Sequence, residues 1–248
     1  MNFHEAAQPL SHRSSSDVGV LVIHGITSTP GSMAYVFQSL VDAGYNVECP
    51  LLPGHGTRWE DMEGVYWWEW VMAMERSLAE LSRRCCKIFI CGLSLGGGIG
   101  LYMAANHPEL RGIFVFNHLC TYKKTILTIV APYVHRIVRS VPAISGDIKD
   151  SAVTEPAYSR LSSFAGCQSI ELTEHLQRKL KLITVPLLVF KSRGDHIIPL
   201  ESATRTIEGV SSKDKELVWL ENSYHVVTMD FDKEPMLKKS LEFIARLS

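Results

Sequence analysis

A serine stands between two glycines directly after an apolar run at residues 88–91, in the sequence Gly92-Leu93-Ser94-Leu95-Gly96. A serine on a sharp turn between a strand and a helix has a strained backbone, and its Oγ is exposed at the end of a sheet. The flanking glycines lack a Cβ, so the strand and the helix can approach each other closely. The motif predicts that Ser94 is a nucleophile. The alternative is a glycine-rich turn that contains a serine with no chemical role.

A serine hydroxyl is a weak nucleophile until a histidine takes its proton, and an acid must hold that histidine in the correct tautomer. Asp195 follows a predicted strand at 186–190, and we predict it to be the acid; an ordinary Gly-Asp turn is the alternative. His225 follows the last predicted strand, and we predict it to be the base. His196 is a competitor, but its ring cannot readily contact the adjacent Asp195 and also reach the serine.

The carbonyl oxygen of an attacked acyl group becomes negatively charged, and backbone N–H groups can stabilise that charge. Leu95 would present its N–H at the start of a helix, where donors are unpaired. Ile26 lies in the loop that follows a predicted strand at 18–23. We predict that these two N–H groups form an oxyanion hole. For the loop at 24–27, a simple glycine turn is the alternative.

Strand and helix patterns alternate along most of the chain, which predicts an α/β fold with a mostly parallel sheet covered by helices on both faces. Between residues 118 and 183 we find no strand flanked by turns, and we predict a cap inserted there into a single domain of residues 1–248. Apolar residues at 134, 137, 138 and 141 recur at helical spacing and predict a helix in this cap. The predicted strands are 18–23, 45–49, 87–91, 112–116, 186–190 and 216–220, and the predicted helices are 31–43, 66–85, 95–106, 200–207 and 235–247.

Composition excludes several classes of protein. The 248 residues are 46% hydrophobic and carry a net charge of −1, which suits a folded domain and argues against binding to nucleic acid. No apolar run approaches the roughly 18 residues of a membrane span, and the first 13 residues do not resemble a signal peptide, so we expect a cytoplasmic protein without integral membrane contact. The six cysteines form no C-x-x-C pair, and we expect no metal site.

Five motifs stand in the order that is typical of α/β-hydrolases. More narrowly, the chain resembles the small bacterial carboxylesterase and monoacylglycerol lipase group from about residue 18 to residue 247. The resemblance implies that Ser94, Asp195 and His225 form a catalytic triad that needs no cofactor or metal. The motifs are Leu21-Val22-Ile23-His24-Gly25, Gly54-His55-Gly56, Gly92-Leu93-Ser94-Leu95-Gly96-Gly97, Asp195-His196-Ile197-Ile198-Pro199 and Ser223-Tyr224-His225-Val226.

The same resemblance implies a small-molecule substrate, either a short-to-medium-chain acyl ester or a monoacylglycerol. Glu155 matches a glutamate that accepts hydrogen bonds from glycerol hydroxyls, although a solvated cap carboxylate is the alternative. We also expect Ile144 and Asn117 to contact substrate. An apolar cap would cover the acyl chain and could touch a lipid surface transiently. An acyltransferase, a thioesterase and a binding protein with little turnover remain alternatives, because fold and triad do not decide among them.

Overall fold

The computed structural model describes residues 3–122, 133, 135–143 and 145–248. Nine strands and seven helices are named below in chain order within this described part. The strands are β1 (Leu10–His12), β2 (Val18–Ile23), β3 (Asn46–Cys49), β4 (Lys87–Leu93), β5 (Gly112–Phe116), β6 (Ser140–Pro142), β7 (Arg160–Ser162), β8 (Leu187–Ser192) and β9 (Lys215–Leu220). The helices are α1 (Phe3–Ala6), α2 (Ala34–Asp42), α3 (Trp67–Ser82), α4 (Leu95–Ala104), α5 (Ser163–Lys179), α6 (Glu201–Gly209) and α7 (Lys233–Leu247).

Seven strands form one sheet in the order β1-β3-β2-β4-β5-β8-β9. Every neighbouring pair is parallel except β1 and β3, which are antiparallel. The mostly parallel sheet predicted from the sequence is therefore confirmed. The sequence does not predict β1, because this strand has only three residues at the edge of the sheet and lacks a buried apolar run.

The inner strands are apolar along their whole length because helices cover both faces of the sheet. In β2, Val20 and Val22 belong to a core that contains residues of α2 and α7. Leu21 and Ile23 point to the opposite face, where they pack with α3 and α4. The alternation of one strand thus anchors two separate hydrophobic layers.

The predicted cap needs two corrections. β6 and β7 form an antiparallel pair, with Val141 opposite Leu161, in a segment where the sequence predicts no strand. The prediction of a cap helix is wrong where the structure describes this segment, because residues 135–137 form a turn and Val141 lies in β6. Residue 134 is outside the described residues. A strand of three residues that ends in a proline is too short to show a two-residue periodicity. The cap boundaries at 118 and 183 stay a prediction.

The parallel arrangement brings the ends of several strands to one edge of the sheet. Ser94 follows β4 directly, and Asn117 follows β5 directly. Asp195 lies three residues beyond the end of β8, and His225 lies five residues beyond the end of β9. Because the carboxyl ends of parallel strands meet at the same edge, residues far apart in sequence converge there.

Candidate active site

Ser94 occupies a strained turn between β4 and α4. Its φ is 55° and its ψ is −118°, a combination that residues with a Cβ rarely adopt. A Cβ on Gly96 would collide with the carbonyl oxygen of Ile23 in β2, and a Cβ on Gly92 would collide with the backbone of Gly96. The two glycines therefore let β2, β4 and α4 approach closely enough to form the turn.

Hydrogen bonds to β5, to the segment after it and to α4 hold this turn in place. The Ser94 N–H donates to the carbonyl of Phe116 at 3.0 Å. The Ser94 carbonyl accepts the N–H groups of Gly98 at 3.1 Å and Leu119 at 2.9 Å. The strained conformation is thus determined by neighbours on both sides, which is how such backbone strain persists in a folded protein.

His225 and Asp195 are in direct contact. His225 Nδ1 lies 3.0 Å from each carboxylate oxygen of Asp195, so this nitrogen donates its proton to the carboxylate and leaves Nε2 as the acceptor. Both side chains are buried. The ring of His196 instead bonds Asp147, with Nδ1 2.8 Å from Oδ1. The structure therefore brings His225, and not His196, to the predicted acid.

The carboxylate of Asp195 accepts three further hydrogen bonds besides its bond to His225. Oδ1 accepts the N–H groups of Ile197 and Ile198, each at 2.9 Å, and Oδ2 accepts the Lys191 ammonium. Burial by itself raises the pKa of Asp195, but His225 and Lys191 more than offset this effect and hold the pKa well below its usual value. The acid is consequently ionised at neutral pH.

Lys191 contacts the predicted acid, and the sequence did not predict this contact. Its side chain is 0% exposed, and its ammonium donates to the Ile198 carbonyl at 2.7 Å as well as to Asp195. Burial lowers the pKa of this lysine, and the Asp195 charge opposes that effect. The sequence does contain a signal for this contact, which is a lysine within the apolar run of a buried parallel strand. A buried charge needs a partner of opposite charge.

A pocket opens beside Ser94 and His225. Side chains from the β6–β7 pair and the segment after β6 form much of its apolar wall, and Glu155 adds a carboxylate. The described residues that line it are Gly25, Ile26, Thr27, Leu93, Ser94, Val141, Pro142, Ala143, Ser145, Glu155, Leu161, Ile197, His225 and Val226. An apolar pocket with a few fixed polar groups suits an acyl chain attached to a polar head.

The loop that carries Ile26 lies next to the serine. A Cβ on Gly25 would sit 3.4 Å from the Cβ of Ser94, and Ile26 itself lines the pocket. Among the hydrogen bonds of the described residues, none uses the Ile26 N–H as donor. Leu95 is the first residue of α4, so helix geometry leaves its N–H without an intrahelical acceptor. Neither N–H is thus the donor of a hydrogen bond within the described residues, and the oxyanion hole stays a prediction.

Two buried histidines support this loop. His24 Nε2 accepts the N–H of Leu52 at 3.1 Å, and His55 Nε2 accepts the N–H of Thr27 at 3.2 Å. Each ring can accept at Nε2 only in the neutral form that carries its proton on Nδ1. Burial lowers the pKa of His24 to about 3 and that of His55 to about 4, which keeps both rings neutral. These histidines fix the loop at 24–27 and do not line the pocket.

The three residues predicted to contact substrate differ in their position relative to the pocket. Glu155 lines the pocket, and its carboxylate accepts the Ser28 hydroxyl at 2.7 Å and the Gly146 N–H at 2.8 Å. Asn117 is fully buried and is not among the described residues that line the pocket. Ile144 lies outside the described residues.

The amide of Asn117 is used to support the base. Its Nδ2 donates to the carbonyl of His225 at 2.7 Å and to that of Tyr224 at 3.1 Å. It also donates to the Ser192 hydroxyl at 3.0 Å, and its Oδ1 accepts the Ser192 N–H at 2.8 Å. The structure therefore places Asn117 behind the base loop, where it joins β5 to β8 and to His225.

Two features are absent from the described part of the chain. No three His, Cys, Asp or Glu side chains in residues 3–122, 133, 135–143 and 145–248 lie in a group that could hold a metal ion. None of the helices described within these ranges is both long enough and apolar enough to cross a membrane.

Comparison with known proteins connects this geometry to a family. Residues 14–232 match the family of serine aminopeptidases S33. The chain belongs to this α/β-hydrolase family. The hydrolase is 38% identical over 240 residues to the thermostable monoacylglycerol lipase of Bacillus sp. strain H-257, covering 97% of this chain and 95% of that relative. It is 27% identical to a carboxylesterase of Bacillus subtilis strain 168, covering 93% and 94% of the two chains.

Solved structures show the same similarity. A chain described with the metagenome-derived lipolytic enzymes LipS and LipT superposes on the hydrolase with a TM-score of 0.93 and 34% identity, covering 97% of this chain and 98% of that one. The monoacylglycerol lipase of Paleococcus ferrophilus has a TM-score of 0.84 at 20% identity, covering 97% and 99%, and at that identity it shows the fold alone. The predicted resemblance to small bacterial lipolytic enzymes is confirmed.

We expect the free energy of unfolding of the hydrolase to fall as the pH is lowered from about 6.5 to about 4. Burial lowers the pKa of His24, His55 and His118 to about 3, 4 and 3. Below pH 6.5 the unfolded chain binds protons at these histidines that the folded protein does not bind, whereas above it they are neutral in both states. Each histidine should lower the free energy of unfolding by about 1 kcal/mol for each unit by which the pH falls. Urea unfolding at several pH values measures this decrease.

The variant His118→Gln tests whether buried histidines cause the slope of the unfolding free energy against pH. Glutamine can still bond the Thr206 hydroxyl, which His118 Nε2 contacts at 2.7 Å, but it does not titrate. The slope between pH 6 and pH 5 should therefore decrease by about a third in the variant. An unfolding free energy that is independent of pH over this range in the unmodified protein would contradict the prediction.

Proposed function

We propose that this protein is a serine ester hydrolase, a carboxylesterase or monoacylglycerol lipase, in which Ser94, His225 and Asp195 act as a catalytic triad. The contact of 3.0 Å between His225 Nδ1 and both oxygens of Asp195 carries the proposal, because it leaves His225 Nε2 as a base in the pocket that Ser94 also lines. The identity of 38% with a monoacylglycerol lipase supports the same reaction class.

The proposed reaction has two half-reactions. His225 Nε2 takes the proton of Ser94 Oγ while Oγ bonds the ester carbonyl carbon, and the resulting oxyanion accepts the N–H groups of Ile26 and Leu95. His225 then donates that proton to the alcohol oxygen as the ester C–O bond breaks, which leaves an acyl-enzyme. Water attacks the acyl carbon and gives a proton to His225, and this proton returns to Oγ when the carboxylic acid leaves.

Asp195 assists both half-reactions without accepting a proton itself. Its contacts to Lys191, Ile197 and Ile198 hold the carboxylate in place, so His225 keeps one ring orientation. The negative charge beside Nδ1 stabilises the imidazolium that forms in each half-reaction. Removal of one oxyanion donor typically lowers turnover by about 10²- to 10³-fold.

The pocket favours a short-to-medium acyl ester or a monoacylglycerol. Val141, Pro142, Leu161 and Val226 give it an apolar wall for an acyl chain. An acyltransferase, a thioesterase and a binding protein with little turnover are the other outcomes of the experiment below. A cytoplasmic location stays a prediction from the sequence.

We expect Ser94→Ala to abolish ester hydrolysis, because the acyl-enzyme cannot form without Oγ. The measurement is kcat/KM on p-nitrophenyl esters and 1-monoacylglycerols of increasing acyl length, together with labelling by a fluorophosphonate. The unmodified protein should be labelled stoichiometrically, and Ser94→Ala should not be labelled. A preference for one length of monoacylglycerol would indicate a lipase with a cap-defined pocket.

Three outcomes would contradict the proposal. Turnover by Ser94→Ala at the unmodified rate would remove Ser94 from the reaction. An unmodified protein that folds but is not labelled would indicate a binding protein instead. Stoichiometric labelling with slow ester turnover would point to acyl transfer or thioester hydrolysis.

We further propose that Glu155 accepts a hydroxyl of the glycerol head group. Its carboxylate faces the pocket and already accepts two bonds, from Ser28 and Gly146, which leaves room for another donor. The competing role is structural, because the bond to Ser28 also ties the cap to the loop that contains Ile26.

We expect Glu155→Gln to lower kcat/KM for 1-monoacylglycerols about tenfold relative to p-nitrophenyl esters, since it removes a charge-assisted hydrogen bond. Ser28→Ala is the matched control, because it removes the structural bond but keeps the carboxylate. An equal loss on both substrate classes in Glu155→Gln would assign this residue a structural role only.

Transient contact with a lipid surface through the cap is also proposed. Tyr133 and Ile137 are each 84% exposed, and the exposed Arg136 and Arg139 lie beside them in the chain. Apolar side chains flanked by arginines suit an anionic lipid interface.

In a sedimentation assay, Ile137→Ser should bind phosphatidylglycerol vesicles less than the unmodified protein does. Leu182→Ser changes an exposed leucine outside this face and should bind as much as the unmodified protein does. Equal binding by all three proteins would exclude this contact.

A further inference from the structure

A carboxylate from the predicted cap lies between the loop of the acid and the loop of the base. Asp147 Oδ2 accepts the N–H of His225 at 3.1 Å and the N–H of His196 at 3.2 Å. Its Oδ1 lies 2.8 Å from Nδ1 of His196, and its backbone carbonyl accepts the N–H of Val226 at 3.1 Å. The Asp147 side chain is only 13% exposed. One side chain therefore joins the residue after Asp195 to His225 itself.

The peptide groups of His225 are held from two sides. Asp147 accepts its N–H, and the Nδ2 of Asn117 donates to its carbonyl at 2.7 Å. Asn117 belongs to the core at the end of β5, whereas Asp147 comes from the segment between β6 and β7. The backbone on both sides of the His225 Cα is thus fixed, and the direction of the imidazole follows from that backbone.

The segment around Asp147 does not depend on this carboxylate for its attachment. Asp230 is almost fully buried, and its carboxylate accepts the N–H groups of Lys149, Asp150 and Tyr224. These bonds tie the segment to the base loop at a second point. Loss of the Asp147 carboxylate alone should therefore change the position of His225 without releasing the segment.

We propose that Asp147 is a positioning residue, which keeps the acid loop and the base loop in register so that the His225 ring stays aligned with Asp195 and Ser94. The proposal rests on the proposed function for its kinetic consequence. It also means that the cap contributes a residue to the catalytic geometry in addition to covering the pocket. Small displacements of a catalytic group lower rates strongly, by about 10²-fold for a shift of 1 Å.

The variant Asp147→Leu removes the acceptor and keeps a side chain of similar shape. We expect kcat on a short p-nitrophenyl ester to fall about 10- to 100-fold while KM changes less than about twofold, because the pocket lining is unaltered. Asp147→Asn should recover most of kcat, since its amide oxygen can accept both backbone N–H groups. Asp150→Leu is the control, because the one hydrogen bond that the Asp150 carboxylate accepts from a described residue comes from the Ala152 N–H in the same segment.

A spectroscopic measurement separates this proposal from the proposed function. The proton on His225 Nδ1, shared with Asp195, should give a low-field proton NMR signal that is absent from His225→Gln. Asp147→Leu should shift or broaden this signal, whereas Asp147→Asn and Asp150→Leu should preserve it. This readout needs no turnover, so it decides the role of Asp147 even if Ser94→Ala shows that the ester hydrolase assignment is wrong.

Circular dichroism and thermal melting establish that each variant is folded. Should Asp147→Leu fail to fold, Asp147→Ser replaces it, because the shorter hydroxyl cannot reach both loops. An unchanged kcat together with an unchanged Nδ1 signal in the folded variant would overturn the proposal. So would an equal loss of kcat in Asp150→Leu, which would indicate a general effect of the segment.

Discussion

The backbone of Ser94 constrains the rest of this structure. A φ of 55° with a ψ of −118° is tolerated only where neighbouring groups leave no other conformation, and here β2, β5 and α4 surround the turn. Gly92 and Gly96 allow this approach because neither has a Cβ. The same turn places Ser94 at the edge of the sheet and starts α4 at Leu95, whose N–H has no intrahelical acceptor. The proposed nucleophile and one proposed oxyanion donor thus belong to one local geometry.

The acid depends on a different kind of constraint, which is the cost of burying charge. Asp195 is fully buried, and its carboxylate is retained in the ionised form only because Lys191, His225 and two backbone N–H groups compensate for lost hydration. Lys191 has the same need for a partner. A buried ammonium and a buried carboxylate therefore hold each other in place, and the imidazole of His225 is oriented by a group that cannot easily move.

Hydrogen bonds join the segment between β6 and β7 to the site on two sides. Glu155 bonds Ser28 in the loop beside the predicted oxyanion donors, and Asp147 bonds the backbone of His225. The segment also forms part of the pocket wall through Ala143 and Ser145. Pocket shape and catalytic geometry are consequently linked, because movement of this segment would disturb the substrate wall and both loops together.

The sequence by itself determined the elements whose signals are local. A buried strand such as 112–116 shows a continuous apolar run, and the turn around Ser94 has a glycine two residues away on each side. The convergence of Ser94, Asp195 and His225 was likewise predictable, because each follows a predicted parallel strand and parallel strands bring their carboxyl ends to one edge.

Only the tertiary structure decided the partners of these residues. It joined Lys191 to Asp195, placed Asn117 and Asp147 on opposite sides of the His225 backbone, and paired β6 with β7. The physical reason is that these contacts connect residues that are remote in sequence or hidden inside an apolar run, or join strands too short to show a periodicity. The free energies of these contacts depend on burial and on hydrogen-bond geometry, and both are established only when the sheet has assembled.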